Sequence, residues 1–152
     1  MRRIVILLIL QIIATGFCFG QLPHTFTQYT SEDGLSQNTI MSILQDDKGV
    51  MWFATWDGLY KFDGYTFNNY KAHPGDSIGL SNNRLDNIKE DRYGYIWVQS
   101  YNHQVYRFNP RLERFQAIPY DNYLSLDMYV LPCGDVWIIT VQNELIHIST
   151  HP

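Results

Sequence analysis

The chain has 152 residues, and its 11 basic and 15 acidic side chains give a formal charge of −4. Without any basic run after Arg3, it is a poor partner for nucleic acid or an anionic membrane surface. Two cysteines, one of them at position 18, leave little scope for a disulfide framework, so stability has to come from packing.

Residues 1–20 read as a secretory signal peptide. Arg2 and Arg3 precede an apolar stretch over 4–13 that is interrupted by Gln11, and the small residues Gly16 and Gly20 follow. A membrane span would need about 20 apolar residues. Lipid attachment at Cys18 would want a small residue before it, where Phe17 stands. Cleavage after Gly20 leaves residues 21–152 with 9 basic and 15 acidic side chains, a formal charge of −6, and Cys133 as the remaining cysteine.

The next feature is an internal repeat. Gly34-Leu35-Ser36-Gln37-Asn38 returns as Gly79-Leu80-Ser81-Asn82-Asn83, and Asp46, Gly49 and Trp52 return 45 positions later as Asp91, Gly94 and Trp97. Gly134 and Trp137 begin a third, weaker copy. In the first copy the pattern predicts four strands, at 40–45, 51–55, 59–62 and 66–70. Asp46-Asp47-Lys48-Gly49, Trp56-Asp57-Gly58 and Asp63-Gly64 form the turns. Phe26-Thr27-Gln28-Tyr29 precedes Gly34 much as Phe67-Asn68-Asn69-Tyr70 precedes Gly79, and so reads as a lone outer strand. No segment keeps a helical period.

These observations predict an all-β chain of β-propeller blades, each a four-stranded antiparallel meander. The parts are a strand at 26–29, blades at 35–70 and 80–118, and a partial blade at 125–148. Closed propellers have about 4–8 blades, so about three make an incomplete, open propeller, one whose remaining blades are expected in a longer parent protein; self-association into a larger ring and a stable open arc are the alternatives.

The residues Gly34-Leu35-Ser36-Gln37-Asn38, Ile43-Leu44-Gln45-Asp46, Gly49, Met51-Trp52-Phe53-Ala54-Thr55, Asp57-Gly58-Leu59 and Phe62-Asp63-Gly64 resemble the two-component regulator propeller repeat. The resemblance is strong in the first copy, fair in the second and weak in the third. It departs at Ala54-Thr55, where Gly-Thr is usual, and at Gln99-Ser100 and Asn102-His103-Gln104 in the second copy. It implies the periplasmic sensor of a Bacteroidetes-type hybrid two-component regulator, anchored in the inner membrane. It further implies an oligosaccharide or other small ligand, a histidine kinase elsewhere in the parent, and a homodimer of that parent.

Trp52, Trp97 and Trp137 share one strand position and are expected to be blade core, while the Asp-x-x-Gly-x-x-Trp turns are expected to be structural. In a meander, the turn between the second and third strands emerges on the same rim as the connection between blades. Trp56, Asp57, Tyr101, Asn102 and His103 therefore share a face with Asn38, Asn83 and Arg84, and six of these (Trp56, Asp57, Arg84, Tyr101, Asn102 and His103) are the candidate ligand-binding residues. Aromatic faces beside amides and a carboxylate suit a sugar, whose ring has an apolar CH face and hydroxyls that need partners. A solvated loop rim is the plain alternative. The five histidines show no metal-ligand spacing and no carboxylate pair suits glycoside hydrolysis, so neither a catalytic residue nor a metal or cofactor is assigned. A protein-interaction scaffold is the alternative function, with a propeller glycosidase or lyase behind it.

Overall fold

The structure, a computed structural model, describes residues 25–73, 75, 79–119 and 124–149. The signal-peptide reading of 1–20 lies outside these residues. Among the described residues no helix is long and apolar enough to cross a membrane.

Among the described residues, eleven strands make three antiparallel sheets. Strands β1 (Ile40–Gln45), β2 (Met51–Thr55), β3 (Gly58–Phe62) and β4 (Phe67–Tyr70) form blade 1 in chain order. Blade 2 repeats the meander with β5 (Leu85–Glu90), β6 (Ile96–Ser100), β7 (Val105–Asn109) and β8 (Arg114–Ala117). Blade 3 has β9 (Ser125–Val130), β10 (Val136–Thr140) and β11 (Leu145–Ile148). The first strands lie side by side, β1 against β5 and β5 against β9, which is the packing of propeller blades around their inner strands. Among the described residues the three sheets do not close into a ring.

Side-chain alternation explains how the blades adhere. On β2, Trp52 and Ala54 point toward blade 2 and join a core with Ile88, Ile96, Val98 and Phe108. On β6 the parity is the same: Ile96 and Val98 point back to blade 1, while Trp97 points forward to Met128, Val136 and Ile138. Every residue of β6 is buried. A strand covered on both faces need not alternate, and Ile96-Trp97-Val98 is accordingly an unbroken apolar run.

The repeated turns are structural, as expected. Asp46 accepts from the backbone of Lys48 and Val50 through Oδ1 and from the Trp52 indole through Oδ2 at 2.9 Å. Asp91 does the same for Tyr93, Tyr95 and Trp97, the indole bond being 2.8 Å. One carboxylate thus shapes the turn and satisfies the N–H of a tryptophan that is 1% exposed. Blade 3 has Leu131 in place of this aspartate, and Trp137 there is half-buried and stacks on His147 at 4.4 Å. The expectation that all three tryptophans are buried core therefore holds for Trp52 and Trp97 and fails for Trp137. Its forward face meets no further blade among the described residues.

The lone strand expected at 26–29 is not formed. Residues 25–30 carry no strand pairing, and Thr30 instead caps a single 3-10 turn (Ser31–Asp33). A strand needs a free edge beside it, and the free edge of β11 is in blade 3, at the other end of the arc. The aromatic chemistry of the segment is nevertheless used: Tyr29 packs edge-on against Phe62 at 5.0 Å and Phe67 at 5.6 Å.

The Gly-Leu-Ser motif also acquires a cause. Leu35 and Leu80 are buried plugs ahead of their blades. Ser36 bonds the Tyr60 hydroxyl and donates to Asp57, while Ser81 bonds the Tyr106 hydroxyl at 2.6 Å and accepts from Asn102. Each connection is thereby stitched to the third strand and the rim turn of the blade it enters.

Candidate functional site

The three rim turns are held by one repeated backbone bond. The N–H groups of Trp56, Tyr101 and Val141 donate to the carbonyls of Thr39, Arg84 and Leu124 at 3.4, 2.8 and 2.9 Å. A second bond crosses the seam between blades 1 and 2, from Gly58 N–H to the Asn83 carbonyl at 2.8 Å. Arg84 therefore leaves the backbone beside Tyr101 of its own blade and next to the Trp56 turn of the preceding one. Its guanidinium carbon lies 4.1 Å from the Trp56 ring centroid and 4.8 Å from that of Tyr101. Both rings remain open to solvent, with Trp56 39% and Tyr101 54% exposed. Cation–π contacts of this kind contribute about 0.5–2 kcal/mol and hold the arginine plane in place.

The other candidates occupy the same rim but are engaged within the protein. Asp57 accepts from Ser36 at 2.8 Å and from Lys71 at 2.6 Å, and its carbonyl accepts from Asn69 at 3.1 Å. Burial alone would push its carboxyl up, but the Lys71 and Ser36 bonds outweigh it and hold the group below the ordinary aspartate value. Asn102 accepts from Ser100 at 2.5 Å. His103 adopts a left-handed φ of 65° and joins blades 2 and 3: its Nδ1 lies 2.9 Å from the Ser125 carbonyl, and its own carbonyl accepts from Ser125 N–H at 2.9 Å. The rim is thus a rigid frame of Asp57, Asn102 and His103 around a more open group of Trp56, Arg84 and Tyr101.

Sequence reasoning missed Asp86. Each blade's first strand carries a β-bulge, and the extra residue is Met41 in blade 1, Asp86 in blade 2 and Leu126 in blade 3. Bulges re-aim a side chain, and Asp86 lies within electrostatic reach of both His103 and Arg84. Burial raises its carboxyl above the ordinary value despite those two groups. The sequence signal was slight: one charge at a position that is apolar in the other two copies.

A cavity of about 660 Å³ lies elsewhere. It lies between the outer strands of blades 1 and 2, lined by Tyr70, Lys71, Glu113 and Arg114 among others, and is spanned by a Tyr70–Glu113 hydrogen bond of 2.8 Å. Neighbouring blades splay toward their outer strands, so a crevice there follows from the architecture. No group of three or more His, Cys, Asp or Glu side chains gathers to hold a metal among the described residues.

Blades packed through alternating strand faces, with a polar-aromatic rim on one side, define a β-propeller repeat protein. Residues 34–57, which include β1 and β2 of the first blade, match the family described as two component regulator propeller. A 56-residue stretch is 48% identical to histidine kinase P4 of Formosa agariphila, covering 37% of this chain and 4% of that protein. Among solved structures, the chain is similar to the extracellular domain assigned to a hybrid two component system of B. thetaiotaomicron. That match has 23% identity and a TM-score of 0.65, over 83% of this chain and 20% of the other. A second such domain from the same organism matches at 25% identity and a TM-score of 0.56, over 76% of this chain and 17% of the other. The chain therefore spans a small part of the length of each of these proteins.

Proposed function

We propose that this chain is part of the extracytoplasmic sensor propeller of a hybrid two-component regulator, and that its rim binds an oligosaccharide without transforming it. The supporting observation is the open Trp56–Arg84–Tyr101 group: two solvent-facing rings that can stack on sugar CH faces, set beside polar groups on a hydrogen-bonded frame. The propeller repeat and the names of the similar proteins support the signalling context. In this reading the parent is exported to the periplasmic side of the inner membrane, and it supplies further blades and the kinase.

Calorimetric titration of the chain with a panel of plant and algal oligosaccharides tests the reading. Binding to at least one of them, weakened tenfold or more by Trp56→Ala or Tyr101→Ala with unfolding unchanged, is the expected result. A folded chain that binds none of them, or binds equally well after both substitutions, would overturn it. A protein-interaction scaffold draws on a different surface: blade 3 exposes Leu126, Tyr129, Ile139 and Leu145, and Tyr129 is 66% exposed. A stoichiometric protein partner lost on Tyr129→Asp would favour that alternative.

A further inference from the structure

The Arg84 guanidinium has used its plane and not its edge. Two rings lie against it at 4.1 and 4.8 Å. Among the described residues none of its N–H groups has an acceptor and no carboxylate oxygen lies within 4.0 Å of it. A half-buried arginine ordinarily donates several hydrogen bonds, because its five N–H groups form a fixed fork that fits a carboxylate or a sulfate in two-pronged fashion. Here the fork is oriented by the rings and left for an acceptor from outside.

The repeat shows that this is a local specialisation. Arg84 corresponds to Thr39 in blade 1 and Leu124 in blade 3, while Trp56 corresponds to Tyr101 and Val141. The neighbouring seam, between blades 2 and 3, sets Leu124 where Arg84 stands and cannot hold a cation. The surrounding chain is acidic, at −4 overall, so the cation belongs to no general polyanion surface. Asp86, re-aimed by its bulge into the reach of Arg84 but not paired with it, adds an acceptor that a hydroxyl of the same ligand can use.

We infer that the seam between blades 1 and 2 is a subsite for an acidic sugar. The sugar stacks on Trp56 or Tyr101, and its carboxylate or sulfate group lies on the Arg84 fork. This rests on the oligosaccharide reading above and narrows it. Charge-assisted bonds to arginine are worth about 1.5–3 kcal/mol, which corresponds to roughly ten- to hundredfold in affinity.

The test titrates the full chain with three probes: trigalacturonate, its methyl ester, and a sulfated galactotriose. The ester keeps the ring and its hydroxyls and removes the charge. Binding of an acidic probe at least tenfold tighter than the ester, weakening as sodium chloride is raised from 20 to 300 mM (about 22 to 6 Å in Debye length), supports the inference. The galacturonate and sulfate arms separate the two anions. Arg84→Gln should erase the preference of the chain for the acidic probe over the ester. If that variant fails to fold, the salt dependence and the acid-to-ester ratio of the parent still decide. Equal binding of acid and ester overturns the acidic subsite and leaves the oligosaccharide reading standing; no binding of the acidic probes by a folded chain that binds other oligosaccharides of the panel overturns the subsite alone, and no binding of any oligosaccharide overturns both.

Discussion

Three tryptophans at one repeat position, in three different surroundings, make a test of what holds the arc together. Trp97 is 1% exposed, packs on Met128, Val136 and Ile138, and donates to Asp91. Truncating a buried tryptophan to alanine removes about 150–250 Å² of covered surface and typically costs about 3–5 kcal/mol. Trp97→Ala also strips Asp91 Oδ2 of the indole partner in a carboxylate that is 4% exposed, adding about 1–3 kcal/mol. The total, about 4–8 kcal/mol, rivals the whole stability of an ordinary domain. Trp137→Ala should cost only about 1–2 kcal/mol, because its ring is half-buried and Leu131 offers the indole no carboxylate. Trp97→Phe keeps most of the ring volume and should fall between the two. Urea unfolding followed by far-ultraviolet circular dichroism gives all three midpoints. If Trp137→Ala proves as costly as Trp97→Ala, the account of forward-facing packing is wrong.

Two further perturbations probe other links. Burial, reinforced by Asp47 and Asp46 across the seam, pushes the Glu90 carboxyl up to about 7. The folded chain therefore binds this proton more readily than the unfolded one. Stability from this group is greatest below the ordinary value of 4.5, falls as pH rises toward about 7, and is level above that. Glu90→Gln should remove that slope and raise stability at pH 8 by about 1 kcal/mol, after allowance for solvent screening; urea midpoints at pH 5 and pH 8 measure it. Gly58 has a φ of 110°, and a Cβ there would sit 2.5 Å from the Tyr70 carbonyl oxygen, whereas Gly64 has a φ of 98° with nothing within 4 Å. Gly58→Ala should therefore cost about 2–3 kcal/mol or more and Gly64→Ala about 1 kcal/mol, and similar midpoints for the two would count against the steric reading of Gly58.

The blades were legible because the repeat carries its own grammar. The repeat and its turn residues marked strands at 40–45 and 51–55 that coincide with β1 and β2, and the shared rim followed from strand parity alone. The segment at 26–29 misled because its Phe-x-x-Tyr pattern encodes aromatic packing, which Tyr29 does perform, whereas a strand also needs an edge to pair with. The rim residues were found as a group, but their division of labour was hidden. Whether Asp57 is free or tied depends on Ser36 and Lys71, which lie 21 and 14 positions away. Asp86 was hidden because a bulge is a mismatch between two strands, and neither strand shows it alone.

The forward-facing tryptophan gives the arc a direction. In blades 1 and 2 the tryptophan ring is sheltered by the blade that follows in the chain, not by the one before. As the polypeptide emerges from its N-terminus, Trp52 stays wet until β5 to β7 arrive, and Trp97 until β9 and β10 do. Every blade is thus a temporary sticky end for its successor, and growth in that order keeps a single such surface open at a time. Removing residues 125–149 would strand Trp97, whereas removing 25–39 would leave both buried tryptophans covered.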